Sequence, residues 1–300
     1  MRLTDLAHLA LMLLALGLAY VVPFELLLLS YVVLGPAHYA TEISWLHDRN
    51  FFLPQRSIAA GLATLAVIAA FIENAAWFGV AMWGAFVICT ATQSVVLLMA
   101  ALALTLAMAF NGTAIAVLGI LLPTLVHVSL FTLVFMTLGA WRSGARAQWL
   151  LVGVYLAAIG LILIVPPTAA TLIPSFAKAG QDYFANVAPA LGRLFGVGNL
   201  ELDTRLTSLL AFVYTYHYLN WFIKAEVIRW TAMTGRRLAI VSAASGVSTA
   251  LYFYDYALGF TVLLAFSLAH IVLEFPLNAL ALRQLGAAIG ASAMKVASRA

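Results

Sequence analysis

Four histidines, His38, His127, His217 and His270, stand at nearly the same depth in four separate apolar segments of the chain. Ionisable side chains are costly in hydrocarbon, so they mark a pathway, a cofactor or a metal. The segments run over about 24–46, 113–140, 205–227 and 257–282, and the histidines fall 14, 14, 12 and 13 residues past their first residues. At 1.5 Å per residue this is roughly 18–21 Å into each helix. Helices running in one direction would bring the four imidazoles to one point. Neutral imidazoles suit iron, zinc, copper or nickel. An octahedral ion held by four of them keeps two positions open, as iron(II) requires to bind dioxygen and a substrate. A tetrahedral zinc with four histidine ligands is closed and structural. Iron(II) is therefore the expected cofactor and zinc the alternative.

Two carboxylates recur beside these histidines. His38 and Glu42 are four residues apart in Gly35-Pro36-Ala37-His38-Tyr39-Ala40-Thr41-Glu42, and His270 and Glu274 repeat that spacing. Residues four apart share a helix face. Either carboxylate can hold a histidine N–H from behind the metal and fix its tautomer, or act as a general base. Pro123 lies four residues before His127 and can open that helix by freeing a backbone carbonyl. His217 lies in Tyr214-Thr215-Tyr216-His217-Tyr218-Leu219-Asn220-Trp221-Phe222. Aromatic residues normally gather at the membrane interface. In mid-span, Tyr214, Tyr216, Tyr218, Trp221 and Phe222 read as the wall of a site for a flat apolar substrate, with core packing the ordinary alternative. His47, beside Asp48 and Arg49, reads as a solvated boundary residue, and Lys224 and Glu226 as boundary charges.

These segments belong to a chain that is 65% hydrophobic and 9% charged, with a mean hydropathy of +1.05. Soluble domains are about 45–50% apolar and about 25% charged. The fold class expected is all-α: one polytopic transmembrane helical bundle over residues 1–300, with about 8–10 spans. Apolar runs lie at about 6–22, 24–46, 57–72, 76–92, 94–110, 113–140, 148–165, 205–227, 238–255 and 257–282. Turn chemistry at Pro23, Pro54, Asn111-Gly112, Ser143-Gly144, Pro166-Pro167 and Gly235 separates many of them. The first run lacks a small-residue cleavage site and reads as a retained helix. The one long connection, 166–204, is an outer-side segment; within it Ala177–Phe195 carries Lys178, Asp182 and Arg193 among apolar residues and reads as an interfacial helix or a plain connector. The single cysteine, Cys89, excludes an intramolecular disulfide and CxxC motifs.

A net charge of +4 would suit an anionic partner, but the basic residues fall mostly between spans, which excludes nucleic acid as the expected partner. With the N-terminus inside, Arg2, Arg49, Arg56, Arg142, Arg146, Lys224, Arg229, Arg236, Arg237, Arg283, Lys295 and Arg299 fall on the cytoplasmic side. Only Lys178, Arg193 and Arg205 fall outside. The positive-inside rule then puts both termini in the cytoplasm of an integral membrane protein. Under this topology the four histidine-bearing spans all run from outside to inside.

The order of sites resembles the Brp/Blh family of membrane β-carotene 15,15′-dioxygenases. That family's Pro-His-x3-Asp motif is approximated by Pro36-Ala37-His38 and Glu42, with one inserted residue and Glu for Asp. Val126-His127-Val128 resembles its mid-chain histidine segment, Tyr214–Phe222 its aromatic histidine helix, and His270 with Glu274 its C-terminal pair. The chain departs from the pattern at Phe131, where the family has an acid, and at Trp221, where it has a second histidine. The resemblance implies a non-haem iron oxygenase acting on a carotenoid-like or other isoprenoid substrate. A zinc-dependent membrane hydrolase and a proton- or metal-coupled transporter are the competing readings, the latter without a visible internal repeat. No P-loop or HExxH is present. The lysines, Lys178, Lys224 and Lys295, are absent from mid-membrane in the last spans, which argues against a retinal Schiff base. The oligomeric state leaves no mark in the sequence. The charge asymmetry predicts that a reporter fused after Ala300 is active only on the cytoplasmic side, which a paired periplasmic and cytoplasmic reporter assay measures.

Overall fold

The structure, a computed structural model, describes residues 2–51, 56–72, 122–168, 172, 200–224 and 233–297. Among them it is all-helical, with eight helices and no strand. These are α1 (Leu3–Val21), α2 (Pro23–Arg49), α3 (Arg56–Phe71), α4 (122–143), α5 (Arg146–Ile164), α6 (Leu200–Ile223), α7 (Gly235–Tyr254) and α8 (Tyr256–Ala297). Five of them, α1, α2, α4, α5 and α8, are long and apolar enough to cross a membrane. Expected spans 76–92 and 94–110, Cys89 and the interfacial segment 177–195 lie outside the described residues. Two boundaries differ from expectation. Helix α6 begins at Leu200 rather than 205, and α8 continues to Ala297 rather than 282. A helix of 42 residues is roughly 63 Å long, about twice the thickness of a hydrocarbon core. Helix α8 is thus longer than one crossing needs, and Arg283 toward its end is exposed.

The four histidine helices form an inner ring in the order α2, α6, α4, α8, each packed against the next. Helices α1, α3, α5 and α7 pack outside them. Small residues permit these close approaches, as in other membrane bundles. Ala15 and Ala19 of α1 and Ala158 of α5 meet Phe212 and Tyr216 of α6. Ala66, Ala69 and Ala70 of α3 meet Ala265, Leu268 and Val272 of α8. Outward-facing leucines such as Leu13, Leu14 and Leu156 are exposed, as lipid contact requires.

Two ring helices open into a π-helical turn beside their histidine. In α2 the turn covers Ser30–Leu34 and directly precedes Gly35-Pro36. Pro36 has no N–H to give the Val32 carbonyl, and in hydrocarbon a freed carbonyl must find another donor. Thr249 Oγ1 of α7 donates to it at 2.8 Å. In α4 the turn is His127–Phe131 itself, four residues after Pro123. Tyr155 of α5 donates to its Ser129 carbonyl at 3.3 Å. Single π turns of this kind often sit at functional sites.

Helices α7 and α8 are joined at Asp255, whose Oδ1 accepts from the Leu258 N–H at 2.9 Å. The turn is so tight that a Cβ on Gly259 would lie 2.1 Å from the Tyr252 Cα. Backbone cannot yield as a flexible side chain does, so Gly259→Ala should lower stability by about 1–3 kcal/mol or more. Gly246→Ala, where a Cβ meets nothing within 4 Å, should leave stability unchanged or slightly raised. Thermal unfolding of both variants in detergent measures the difference.

Candidate metal centre

The inner ring brings its four imidazoles together. Ring centroids are 4.8 Å apart for His38 and His217, 5.0 Å for His217 and His127, 4.9 Å for His127 and His270, and 5.0 Å for His270 and His38. The result is a closed four-membered ring with neighbouring imidazoles steeply inclined, at 68–84°. All four are buried, as are Glu42 and Glu274 at 2% exposure each. The equal depths in sequence thus correspond to side chains in mutual contact.

The carboxylates sit differently from a partner behind the metal ligand. Such a partner engages the outer nitrogen of a histidine and leaves the inner one for the metal. Glu42 Oε2 instead lies 3.1 Å from His38 Nε2 and 3.1 Å from His270 Nε2. His38 Nε2 is also 3.1 Å from His217 Nε2. Glu42 is therefore among the converging nitrogens, because one helical turn carries the carboxylate back over the histidine of its own helix and against that of α8. Glu274 Oε2 lies 3.3 Å from His127 Nδ1 and 3.6 Å from His270 Nε2. The behind-the-ligand position is filled by a residue the sequence reading missed. Thr132 Oγ1 of α4 is 2.8 Å from His217 Nδ1, which leaves His217 Nε2 pointing inward.

Protons alone satisfy this cluster poorly. His38 Nε2 faces both a carboxylate oxygen and a second ring nitrogen, and one neutral imidazole nitrogen either donates or accepts. Both nitrogens of His127, together with His38 Nδ1, His270 Nδ1 and Glu274 Oε2, are buried without a hydrogen-bond partner. A cation at the convergence would bind several of these lone pairs at once. Metal–nitrogen bonds of about 2.1 Å place neighbouring ligands about 3.0 Å apart at octahedral angles and about 3.4 Å apart at tetrahedral ones. The 3.1 Å separations around Glu42 match the first. Two overlapping groups, His38/Glu42/His270 and His127/His270/Glu274, each bring their ligand atoms within 4.8 Å of one another. The residues fit a metal ion.

A narrow gap, too small for a free water molecule, adjoins the ring, lined in part by His127, His217 and His270. Its other walls follow one rule. The residue after each histidine lines it (Tyr39, Val128, Tyr218 and Ile271), and so does the residue three before on three helices (Thr124, Tyr214 and Ser267). On α2 that earlier position is Gly35, where a Cβ would come within 3.1 Å of the Tyr39 hydroxyl. The shared rule means that the four helices run in the same direction through the site. Of the expected aromatic wall, Tyr214 and Tyr218 line the cavity. Trp221 stands edge-on to His38 at 5.4 Å, with its indole N–H donating to Thr41 at 2.9 Å.

Tyr216 does not belong to that wall. Two residues from both Tyr214 and Tyr218, it points to the opposite side of α6, where its hydroxyl is 3.2 Å from His8 Nδ1 and its ring packs on Tyr155. Phe222 is partly exposed and outside the cavity lining. His47, as expected of a boundary residue, is at the surface beside Asp48, near Arg237 of α7. Tyr39, Thr124 and Ser267 were legible only once the four histidines were placed on parallel helices.

Thr132→Val should keep the fold but weaken metal binding by about 10–100-fold, since such outer partners set ring orientation and basicity. His127→Ala, which removes an inward nitrogen, should lose the copurifying metal altogether. Metal content of purified protein, with thermal unfolding as the control for folding, checks both.

No protein-family model, no curated protein and no solved structure matches this chain, and the character of the centre rests on its own geometry.

Proposed function

We propose that this protein is an integral-membrane, non-haem iron-dependent oxygenase acting on a hydrophobic, isoprenoid or carotenoid-like substrate. The observation that carries the reading is Glu42 Oε2 at 3.1 Å from two histidine nitrogens of different helices. It makes the donor set mixed, imidazole with carboxylate, which is the preference of non-haem iron(II). Zinc in a hydrolase would use about three protein ligands and a free carboxylate base; Glu42 is committed to ring nitrogens.

His38, His127, His217, His270 and Glu42 would hold the ion, with Glu274 beside them. Bound iron(II) supplies redox chemistry toward dioxygen. The chain's own residues orient the ligands through Thr132, exclude bulk water by burial and shape what can approach. The gap at the ring has no room for a free water molecule, far short of the roughly 300–1,000 Å³ of ordinary ligand pockets. A long apolar substrate would therefore have to part the ring helices to bring its reacting end to the ion, with its bulk between helices or in lipid. The family resemblance set out above supports the same reading.

Protein purified from iron-supplemented cells should carry about one iron per chain. Incubated in liposomes with carotenoids and other isoprenoids under labelled dioxygen, it should yield a product carrying the label. Label taken from water alone, with turnover under anaerobic conditions, would establish a hydrolase instead. Glu42→Gln should lower iron affinity at least about tenfold, by analogy with the loss of a metal-supporting carboxylate. Full iron occupancy in that variant would remove Glu42 from the ligand set.

A further inference from the structure

A second buried polar cluster lies on the side of α6 away from the ring, where α6 meets α1 and α5. Tyr216 is fully buried there, and its hydroxyl is 3.2 Å from Nδ1 of His8, itself 8% exposed. Asp5, three residues before His8 and so on the same face of α1, is buried in the first turn of that helix. Its oxygens accept from the Arg2 N–H at 2.9 Å and from the Gln148 amide of α5 at 2.5 Å. Lys224, at the end of α6, and Asp5 act on the His8 ring with opposite sign. A phenol, an imidazole and a carboxylate are thus carried from the inside of the bundle to the start of α1. Burying such groups costs free energy that apolar contacts between the same helices avoid. The metal centre uses none of them.

Position ties the cluster to the centre. Tyr216 directly precedes His217, so a single peptide unit joins the two residues, their Cα atoms about 3.8 Å apart. The Tyr216 ring also packs on Tyr155, with centroids 5.7 Å apart, and stacks on Phe212. Other tyrosines come closer to the imidazoles. Tyr39 packs on His270 and Tyr218 on His38. Their hydroxyls, however, bond to each other and to Ser267, and that of Tyr214 bonds to Thr124. Of these four phenols, Tyr216 alone has an imidazole as its partner.

We infer that Tyr216 is a redox-active side chain, giving one electron to the oxidised metal centre across the peptide to His217 while its proton passes to His8. The inference rests on the iron centre proposed above and adds a site of oxidation outside it. A phenol that loses an electron becomes a strong acid, so it is oxidised readily only where a base can take the proton. Hydroxyl partners are no such base, and a neutral imidazole is one. An apolar interior disfavours a charged ring. Here the product is a neutral phenoxyl radical, and the positive charge moves to His8, on the same helix face as Asp5. The balance closes with hydrogen peroxide, the product of incomplete dioxygen reduction, as oxidant. Peroxide takes up two electrons and two protons and leaves as two water molecules. One electron comes from iron(II), which ends as iron(III). The other comes from Tyr216, whose own proton stays on His8 while solvent supplies the two that peroxide takes. A thiol or ascorbate then returns the electron, and His8 returns the proton. Oxidation is drawn away from the ligands to a residue that recovers.

The test mixes full-length, iron(II)-loaded protein in detergent with hydrogen peroxide under anaerobic conditions, freezes it at increasing times and records electron paramagnetic resonance. A ferric signal reports that peroxide reached the ion. A radical signal narrowed by growth on ring-deuterated tyrosine reports a phenoxyl. The parent should give both. Tyr216→Phe keeps the ring and should keep the iron and the ferric signal but lose the radical. His8→Gln can accept the hydrogen bond but not the proton, and should slow radical formation at least about a hundredfold, the lower range for a positioned base. A purely structural bond would be restored by glutamine. A radical that survives Tyr216→Phe, that Tyr39→Phe removes, or that forms at the parent rate in His8→Gln overturns the inference and leaves the metal centre standing. So does a ferric signal in the parent without any radical. A parent that takes up no iron overturns both. Where bound iron gives no ferric signal, or Tyr216→Phe loses its iron, flash-quench oxidation by ruthenium(III) tris(bipyridine) replaces peroxide. Loss of the radical in both variants then supports the pair, and its survival in either overturns it.

Discussion

Two carboxylates lie inside an apolar bundle, and their charge must be answered there. Moving one ionised carboxylate from water to an apolar interior costs several kcal/mol even after relaxation. Among the described residues no arginine or lysine side chain is paired with Glu42 or Glu274; imidazoles reach both, and Glu274 also bonds Glu42 and Asn278. Neutral imidazoles can donate hydrogen bonds but carry no charge. A divalent ion shared by the whole cluster would meet both needs, coordination and neutrality. The alternative, protonated carboxylates and a network of N–H bonds, leaves both nitrogens of His127 without partners.

That requirement orders the rest of the bundle. Four ligand helices must run in one direction, so that the same helical positions of each meet at one level. Each therefore needs a return helix outside the ring, and α1, α3, α5 and α7 occupy those places. The π-helical turns serve the same end. A side chain can be turned toward the centre by adding a residue to one turn of its helix, at the cost of a strained hydrogen-bond ladder. In α2 the cost is met by Thr249 donating to Val32, and in α4 by Tyr155 donating to Ser129. Such donors are placed by neighbouring helices, so the ring and its surround are coupled.

The membrane bundle and the convergence of the histidines were legible in the sequence for physical reasons. Hydrophobic runs set by bilayer thickness identify helices, and equal offsets along helices of one direction become equal depths. Eight of the ten expected spans coincide with described helices, with shifts at Leu200 and Ala297. What could not be read is anything set by rotation about a helix axis or by tertiary contact. Glu42 was expected behind a histidine and lies among the converging ring nitrogens. Tyr216 was grouped with its neighbours because aromatic composition was counted without the helical period, which sets residues two apart on nearly opposite sides. Thr132 leaves no signal at all, since its role depends on α4 meeting α6 at the level of His217.

The same rotation rule accounts for the difference between the two sides of the centre. A residue four positions after a histidine and one three positions before it both share its face, but they lie on opposite sides of its level. On α8 these are Glu274 and Ser267; on α2 they are Glu42 and Gly35. Acidic residues at the later position and small or hydroxylic ones at the earlier position make one side of the ring anionic and closed. The other side is left neutral and lined with hydroxyl groups. Four parallel helices carrying one histidine each thus fix the polarity of the site, with carboxylates at one end and hydroxyl groups at the other. An arrangement with one helix reversed would put an acid into the cavity or a hydroxyl among the carboxylates. Parallel passage through the ring is therefore as much a condition of the proposed chemistry as the histidines are.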